Sequence, residues 1–233
     1  MIAGISITDM NNNSLILALP KGRILKACIP LLEKANIIPE PAFFDADSRL
    51  LRFKTNDPEL DIIRVRSFDV ATFVAFGTAS FGVCGSDVLM EFDYPDIYAP
   101  LDLNIGHCRL SVAQLANTKD KNLGDPARWS QIRVATKYPN LTRRFFAKKG
   151  VQADIVNLHG AMELAPVLKL SHLIIDLVDT GSTLKANGLQ EVETIVDVSS
   201  RLIINRTALK TQSVRINALT ERFRQILSPQ SAA

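Results

Sequence analysis

The sequence predicts an α/β protein with two lobes, and three observations lead to this prediction. Short apolar runs typical of buried strands alternate with amphipathic runs typical of helices along most of the chain. At 233 residues the chain could form one large domain or two small ones, and it is long enough to bury a core. A polar stretch over 116–131 interrupts the alternation. We therefore expect two lobes, each built around a largely parallel sheet, with a ligand site in the cleft between them.

The first half of the chain supplies the elements expected in lobe I. An apolar strand over 14–19 runs into a Pro-Lys-Gly-Arg loop, and apolar residues at helical spacing then continue to Ala35. Pro30 is expected to kink this helix. The elements expected next are strands at 60–66, 79–85 and 108–115, and helices at 68–76 and 86–92, the last of them capped by Ser86 or Asp87.

The second half of the chain continues the same alternation beyond the polar stretch. The elements expected there are strands at 132–137, 153–158 and 172–178, helices at 141–149 and 161–168, two β-rich runs at 193–200 and 201–206, and a helical pattern over 208–228. We place lobe I at 1–108 plus 198–233 and lobe II at 109–197.

Composition and charge argue against several classes of protein. A formal net charge of +3 indicates a mildly basic surface rather than a nucleic-acid footprint. The three cysteines lack Cys-x-x-Cys spacing and the three histidines are scattered, so we expect free thiols and no metal cluster. The amino-terminal residues lack the pattern of a secretion signal, and the charge-free run 70–86 is short for a membrane span. We expect a cytoplasmic protein that binds neither nucleic acid nor membrane.

The most informative segment is an apolar strand that ends in two aspartates and a Thr-Gly-Ser-Thr turn before a helix. Backbone N–H groups at such a turn favour an anion, and Gly181 permits a positive φ. The hydroxyls add donors, whereas the two carboxylates would repel a phosphate but accept hydrogen bonds from a sugar. The segment therefore predicts a ribose 5-phosphate site. Its residues are Asp176, Asp179, Thr180, Gly181, Ser182 and Thr183.

Other interpretations of this segment remain open at this point. Asp and Thr are also common capping residues at the start of a helix. The Asp-Thr-Gly triplet at 179–181 occurs in aspartic proteases as well, but this chain has a single copy and is too short for their two-lobed form.

Seven sequence blocks, in the same order, resemble blocks of the ATP phosphoribosyltransferase family. They lie between about residues 15 and 206, which is nearly the whole chain. The blocks are LALPKGRI (17–24), RVRSFDV (64–70), FGVCGSDVL (81–89), CRLSVA (108–113), RVATKYPNLTRRFF (133–146), GAMELAP (160–166) and DLVDTGSTLKANGL (176–189). The resemblance implies a fold similar to type II periplasmic binding proteins. It also implies an enzyme that joins N1 of ATP to the ribose of phosphoribosyl pyrophosphate and releases pyrophosphate, the first step of histidine biosynthesis.

The resemblance also implies roles for cationic residues and for a third carboxylate. Lys21 and Arg23 lie in a glycine-containing loop after the first strand, where α/β sheets bind ligands. Arg49 and Arg66 match arginines of the family, and guanidinium groups suit phosphate oxygens. Glu163 is expected at the ribose. Taken singly, each of these residues has an ordinary alternative, a surface charge or a helix-terminal acid. Mg²⁺ is expected to bind through substrate phosphates, without protein ligands of its own.

The length of the chain bears on its expected partners. The family has a long form with a carboxy-terminal regulatory domain and a short form without one, and a chain that ends at residue 233 resembles the short form. The resemblance then implies a homodimer of catalytic chains, in which Arg23 or Arg49 reaches into a neighbour's site. It also implies a separate regulatory subunit similar to histidyl-tRNA synthetase, in a hetero-octamer.

Two functions outside this prediction also fit part of the pattern. A purine or pyrimidine phosphoribosyltransferase also has acidic residues before its phosphate loop, but it would not explain the Pro-Lys-Gly-Arg block. A solute-binding protein could share the two-lobed architecture, but it would carry a secretion signal and would not need four cations together.

Overall fold

The structure, a computed structural model, describes residues 14–117 and 132–228 and divides into two compact units. Within the described residues, unit 1 contains 14–85, 94–106 and 200–228, and unit 2 contains 86–93, 107–117 and 132–199. Most of the loop predicted at 116–131 lies outside the described residues. Among the described residues no helix is both long and apolar enough to cross a membrane.

Unit 1 is built on a six-stranded sheet. Its strands are β1 (Leu15–Pro20), β2 (Arg52–Lys54), β3 (Leu60–Val65), β4 (Phe81–Gly85), β5 (Ile97–Asp102) and β11 (Ser200–Asn205). The strand order is β2-β3-β1-β4-β11-β5, with β1 parallel to β3 and β4 and the other pairs antiparallel. Its helices are α1 (Arg23–Lys34), α2 (Ser67–Ala75), α7 (Arg206–Thr211) and α8 (Ser213–Leu227), with a 3₁₀ turn at Pro41–Phe43.

The core of unit 1 follows from the alternation and periodicity of these elements. Leu15, Leu17 and Leu19 of β1 are buried in one cluster with Cys28 of α1 and Phe223 of α8. The helices α1 and α8 each bury apolar residues on one side and expose most of their charged side chains. The helix α1 continues through Pro30 to Lys34, because a proline there removes one backbone hydrogen bond but still allows helical dihedral angles.

Gly82 marks a close approach between α2 and β4. A Cβ atom there would lie 2.7 Å from Val70 Cγ1 and 2.9 Å from Val74 Cγ2, inside van der Waals contact. We expect Gly82→Ala to lower the free energy of unfolding by about 1–3 kcal/mol through overpacking, measured by urea denaturation. Gly160→Ala is the matched control, since no atom lies within 4 Å of its Cβ position. Equal stability of the two variants would contradict this prediction.

Unit 2 is built on a five-stranded sheet. Its strands are β6 (Cys108–Leu115), β7 (Ile132–Thr136), β8 (Ala153–Asn157), β9 (Leu173–Val178) and β10 (Leu189–Val198). The strand order is β10-β6-β9-β7-β8, with β7 parallel to β8 and β9, and β6 antiparallel to β9 and β10. Its helices are α3 (Ser86–Phe92), α4 (Pro139–Lys148), α5 (Leu164–Val167) and α6 (Ser182–Ala186).

The prediction of largely parallel sheets was wrong, because parallel pairing is limited to three neighbouring strands in each sheet. These are β3-β1-β4 in unit 1 and β9-β7-β8 in unit 2. The remaining strands return in the opposite direction, and β10 pairs with β6 over most of the length of both strands. Two antiparallel strands, β2 and β5, were not predicted, and the terminal helical pattern divides at Gln212 into α7 and α8.

The division into units differs from the predicted lobe boundaries at residues 86–93, 107–108 and 198–199. These residues were assigned to lobe I, but they group with unit 2. For 86–93 the reason is a set of polar contacts between α3 and the start of α4. The Glu91 carboxylate accepts hydrogen bonds from the backbone N–H groups of Asn140 and Leu141, at 2.8 and 2.9 Å.

Asp87 and Tyr138 form a buried polar pair in unit 2. The Tyr138 hydroxyl donates to Asp87 Oδ2 at 2.6 Å, and the two residues are 0% and 3% exposed, respectively. Burial raises the pKa of the Asp87 carboxyl above its usual value, while the Tyr138 hydroxyl opposes this rise. The pKa of the Tyr138 hydroxyl is also raised, mainly by burial and to a smaller extent by the negative charge of Asp87. The hydrogen bond therefore joins α3 to the residue before α4, and without the hydroxyl the buried carboxyl would lose this partner.

We expect Tyr138→Phe to lower the free energy of unfolding by about 1–3 kcal/mol at pH 7, because it removes a hydrogen bond to a buried carboxylate. Urea denaturation measures the change. The matched control is Tyr94→Phe, which removes the same hydroxyl from a part-buried contact of 3.3 Å with Thr72 Oγ1. A loss no larger than that of Tyr94→Phe would mean that the buried pair contributes little.

Candidate active site

The predicted phosphate loop lies at the carboxyl end of β9, the central strand of the unit 2 sheet. Gly181 has φ 77° and ψ 2°, a left-handed conformation that favours glycine, and α6 begins at the next residue. Thr180 Oγ1 donates to Ser182 Oγ at 2.9 Å and accepts from the Ser182 N–H at 3.3 Å. Thr180, Ser182 and Thr183 are all exposed. The predicted strand–turn–helix is therefore present, with its hydroxyls in solvent.

Two structural details refine how this loop could bind an anion. The helix α6 has only five residues, so the donors it offers are backbone N–H groups and hydroxyls rather than the dipole of a long helix. The residue at the N-cap position is Gly181, and no side chain makes a capping hydrogen bond there. Thr180 Oγ1 does accept from the N–H of Ser182, the first residue of α6, so this hydroxyl also has the local role that the capping interpretation assigns to it.

The two aspartates beside the loop have different surroundings. Asp176 lies within β9 and is half-buried; its Oδ1 is 3.3 Å from Lys137 Nζ and also accepts from the Leu177 N–H at 2.8 Å. Asp179 follows the strand and is exposed, and its backbone carbonyl accepts a hydrogen bond of 2.9 Å from Arg109 Nη1. Both aspartates therefore lie at the end of β9 that leads into the turn.

Glu163 follows β8 in the chain, on the side of the sheet where the carboxyl end of β9 also lies. It lies in the segment that connects β8 to α5, after Ala161, which has a positive φ of 51°, and after the fully buried Met162. Glu163 is half-buried and its side chain makes no capping hydrogen bond to α5. Because β8, β7 and β9 are parallel neighbours, the segments after their carboxyl ends lie along one edge, the usual ligand edge of an α/β sheet.

The predicted cations Lys21, Arg23 and Arg66 come together in unit 1. Pro20 of β1 is opposite Val65 of β3, and the Lys21 N–H donates to the Val65 carbonyl at 2.9 Å. Lys21 and Arg23 therefore follow β1 where Arg66 follows the adjacent parallel strand. Gly22 has φ 88° and ψ −141°, a combination that favours glycine, and α1 begins directly after it. All three cationic residues are exposed.

The segment that contains Arg49 is held near the carboxyl end of β3 by Arg64, a residue that sequence reasoning missed. The Arg64 N–H donates to the carbonyl of Leu51 at 2.9 Å, and its guanidinium donates to the carbonyls of Phe43 at 3.0 Å and Leu50 at 3.4 Å. The same guanidinium lies 4.4 Å from the ring centroid of Phe53. These contacts attach the segment that contains Arg49 to β3, and Arg49 itself is exposed.

Three further polar residues beside the loop were also missed. Arg109 on β6 makes a bidentate pair with Glu191 on β10, with Nε–Oε1 at 2.6 Å and Nη2–Oε2 at 2.5 Å. Ser111 Oγ donates to Glu191 Oε1 at 2.7 Å. Hydrogen bonding from Arg109 lowers the pKa of Glu191 to about 2, although partial burial opposes the shift. The alternation of β6 could have placed Arg109 and Ser111 on one face, but nothing local points to Glu191.

The described residues contain no cluster of three or more His, Cys, Asp or Glu side chains able to hold a metal ion.

A solvent-open groove of about 850 Å³ lies in unit 1 beside Lys34, Asn36 and Arg222, at the carboxyl end of α1. That helix has twelve residues, so the groove lies about 18 Å from Arg23 along its axis. The groove is therefore separate from the cations after β1.

Comparison with known proteins gives a consistent family assignment. The family model described as "HisG: ATP phosphoribosyltransferase" matches residues 66–225. The ATP phosphoribosyltransferase of Rhodospirillum rubrum is 62% identical over 213 residues, which cover 91% of this chain and 93% of that protein. The ATP phosphoribosyltransferase of Gluconobacter oxydans is 59% identical over 231 residues, covering 99% of this chain and 94% of that protein.

Solved structures support the same fold. The ATP phosphoribosyl transferase (HisG:HisZ) complex from Thermotoga maritima contains a similar chain, with a TM-score of 0.76, 31% identity, and coverage of 91% of this chain and 98% of that one. The periplasmic VFT2 domain of Bordetella pertussis BvgS is similar in fold alone, with a TM-score of 0.55, 12% identity, and coverage of 93% and 88%. These similarities confirm the two-lobed α/β fold similar to type II periplasmic binding proteins.

The family match also decides between the functional alternatives. A base-salvage phosphoribosyltransferase and a solute-binding protein each explained one part of the sequence, whereas the family model and the curated relatives extend over both units. The phosphate loop after β9 and the cations after β1 and β3 lie within the matched relatives' span. This chain belongs to the ATP phosphoribosyltransferase family.

Proposed function

We propose that this chain transfers the phosphoribosyl group of phosphoribosyl pyrophosphate to N1 of ATP, the first step of histidine biosynthesis. Membership of the ATP phosphoribosyltransferase family supports the reaction. The structural observation that carries the proposal is the exposed turn after β9. Its left-handed Gly181, its three hydroxyls and the carboxylates of Asp176 and Asp179 offer phosphate donors beside sugar acceptors.

The reaction needs positioning and charge stabilisation more than a strong base. The bond between the anomeric carbon and a pyrophosphate oxygen breaks, and the lone pair of adenine N1 forms the new bond to that carbon. Positive charge develops on the ribose and negative charge on the departing pyrophosphate. Because N1 carries no proton to remove, the protein groups act by orienting the substrates and by stabilising these charges.

The residues of unit 2 are proposed to hold the ribose 5-phosphate. The backbone N–H groups of the turn and the hydroxyls of Thr180, Ser182 and Thr183 bind the phosphate. Asp179 and Glu163 accept hydrogen bonds from the ribose hydroxyls. Both contacts described above for Asp176 use Oδ1, so we assign its Oδ2 to a ribose hydroxyl. The negative carboxylates also favour the positive charge that develops on the sugar.

The cations of unit 1 are proposed to stabilise the leaving pyrophosphate. Arg23, Arg49 and Arg66 present planar guanidinium groups, which suit paired phosphate oxygens, and Lys21 adds a compact charge. Mg²⁺ is proposed to arrive with phosphoribosyl pyrophosphate, with phosphate oxygens and waters as its ligands, and to supply charge neutralisation. This assignment fits an edge rich in cations, where Lys21 and the three arginines would contact the phosphate and not the metal.

An absorbance assay tests the reaction directly. The purified chain is mixed with ATP, phosphoribosyl pyrophosphate and Mg²⁺, and pyrophosphatase is added to draw the reaction forward. Growth of the ultraviolet absorbance of phosphoribosyl-ATP is expected, and the same mixture with free adenine in place of ATP should give none. A flat trace with ATP, both without and with the regulatory subunit, would contradict the proposed function.

We also propose that this chain is a short-form catalytic subunit that works in the cytoplasm with a regulatory partner. The expected assembly is a homodimer of catalytic chains, joined by a regulatory subunit similar to histidyl-tRNA synthetase in a hetero-octamer. The similarity to the chain in the Thermotoga maritima HisG:HisZ complex supports a partner. Cys28, Cys84 and Cys108 are not joined in disulfide bonds, which suits a reducing compartment. Sedimentation velocity measures the mass of the chain alone, expected to be that of a dimer, and of its mixture with the regulatory subunit, expected to be that of the hetero-octamer. A chain that sediments alone as a monomer would contradict the proposed dimer.

A further inference from the structure

The first residue after β9 is attached to the neighbouring strand by a side chain. Arg109 on β6 lies opposite Val178, the last residue of β9. Its Nη1 donates a hydrogen bond of 2.9 Å to the carbonyl of Asp179. The backbone pairing between β6 and β9 ends at this register, so the Arg109 side chain continues the connection one residue into the phosphate loop.

The other side of the same guanidinium is fixed by Glu191. Both Glu191 oxygens are bound by Arg109, in the parallel geometry that gives a guanidinium one defined orientation. Ser111 Oγ donates to the same carboxylate at 2.7 Å and Thr194 Oγ1 at 3.2 Å. The Arg109 and Glu191 side chains are 33% and 25% exposed, so this pair is more shielded than an ordinary surface ion pair.

A β-bulge accounts for the position of Glu191. On β10, Glu191 pairs with Ala113 and Glu193 pairs with Val112, which leaves Val192 as an extra residue. Such an insertion bends the strand and changes the direction of nearby side chains. Every second residue of β6 points to the same face of the sheet, so Arg109, Ser111 and Ala113 share one face. Glu191 pairs with Ala113, and its side chain extends along this face to contact Ser111 and Arg109. The contact thus spans three strands, β10, β6 and β9.

We propose that Arg109, oriented by Glu191 and Ser111, is a positioning residue that fixes the start of the phosphate loop for phosphoribosyl pyrophosphate. This inference rests on the proposed function of the loop. Asp179 and the hydroxyl residues after it are exposed, so few packing contacts restrict them. A fixed carbonyl at Asp179 limits the orientations of its carboxylate and of the next peptide. Pre-ordered binding groups lose less entropy when the substrate arrives.

Steady-state kinetics of Arg109→Ala test this role. We expect KM for phosphoribosyl pyrophosphate to rise about tenfold, because the loop loses its preset geometry, while KM for ATP changes less than about twofold. Arg109→Lys should recover only part of the loss, since an ammonium cannot bind both the carboxylate and the Asp179 carbonyl in fork geometry. Ser111→Ala removes one contact to Glu191 and should give a smaller rise of the same kind.

The matched control is Arg133→Ala in the same sheet. Arg133 on β7 pairs with Asp154 on β8 at 2.9 Å, at the amino end of these strands and away from the loop. We expect this variant to keep both KM values. If Arg109→Ala behaves like Arg133→Ala, or raises KM for ATP as much as that for phosphoribosyl pyrophosphate, the positioning role is wrong.

Hydrogen exchange separates this inference from the proposed function. In Arg109→Ala and Arg109→Lys, the amides of 180–183 should exchange faster than in the wild type, while the amides of β7 and β8 keep their rates. Unchanged exchange at 180–183 in both variants would overturn the inference even if the enzyme is active. A wild-type chain that forms no phosphoribosyl-ATP would instead overturn the proposed function and leave the exchange result intact.

Discussion

Arg23→Ala is expected to lower kcat by about 100- to 1,000-fold, the cost of removing one preorganised group that stabilises developing charge. Arg23 follows β1 at the edge where Lys21 and Arg66 also lie, and its guanidinium is assigned to the departing pyrophosphate. Negative charge on pyrophosphate grows as the bond to the ribose breaks, so the interaction is stronger in the transition state than in the bound substrate. The loss should therefore appear mainly in kcat, with KM for ATP nearly unchanged, in the phosphoribosyl-ATP absorbance assay.

Lys26→Ala is the matched control for this prediction. Lys26 is an exposed cation on the same helix, one turn after Arg23, and no catalytic role is assigned to it. Its removal should leave kcat within about twofold, as expected for an ordinary surface charge. Arg23→Lys should fall between the two variants, because a point charge replaces a planar fork. A kcat near the wild-type value in Arg23→Ala would mean that Arg23 is only a surface residue.

The parts of the site that sequence reasoning predicted have local signals. The run from Leu173 to Thr183 contains its own strand, its glycine with positive φ and the start of its helix, all within eleven residues of sequence. The Pro-Lys-Gly-Arg loop is equally local, since β1 ends at Pro20 and α1 begins at Arg23. Glycine and hydroxyl residues have backbone preferences that do not depend on distant partners, so the pattern and the structure agree there.

The parts that could not be predicted depend on pairs far apart in the chain. Arg109 and Glu191 are 82 residues apart, and their contact requires both the β6–β10 pairing and the bulge at Val192. Arg64 likewise acts through carbonyls at Phe43 and Leu50. The strand β5 was missed because exposed residues and Pro100 interrupt any alternation along it. In each case tertiary contacts, rather than local propensity, decide the structure.

Asp179→Ala is expected to raise KM for phosphoribosyl pyrophosphate by about 10- to 100-fold, since a hydrogen bond to a charged group contributes about 1.5–3 kcal/mol. The ribose hydroxyls would lose their carboxylate acceptor, whereas the ATP subsite is expected to lie elsewhere, so KM for ATP should stay nearly constant. Asp179→Asn should give an intermediate value, because the amide keeps one acceptor oxygen but loses the charge. Kinetics with each substrate varied in turn measure these changes.

The geometry of the loop makes Asp179→Ala a specific test of the carboxylate. Arg109 donates a hydrogen bond to the backbone carbonyl of Asp179, so the substitution keeps this acceptor, and it removes only the electrostatic attraction between the Asp179 carboxylate and Arg109. A rise in KM with unchanged amide exchange at 180–183 then reports contact with the sugar and not a displaced loop. Asp154→Ala is the control, since Asp154 is a partly exposed carboxylate that pairs with Arg133 at the far end of the parallel strands. If Asp179→Ala binds phosphoribosyl pyrophosphate as tightly as Asp154→Ala does, the ribose must be held by Asp176 and Glu163 without Asp179.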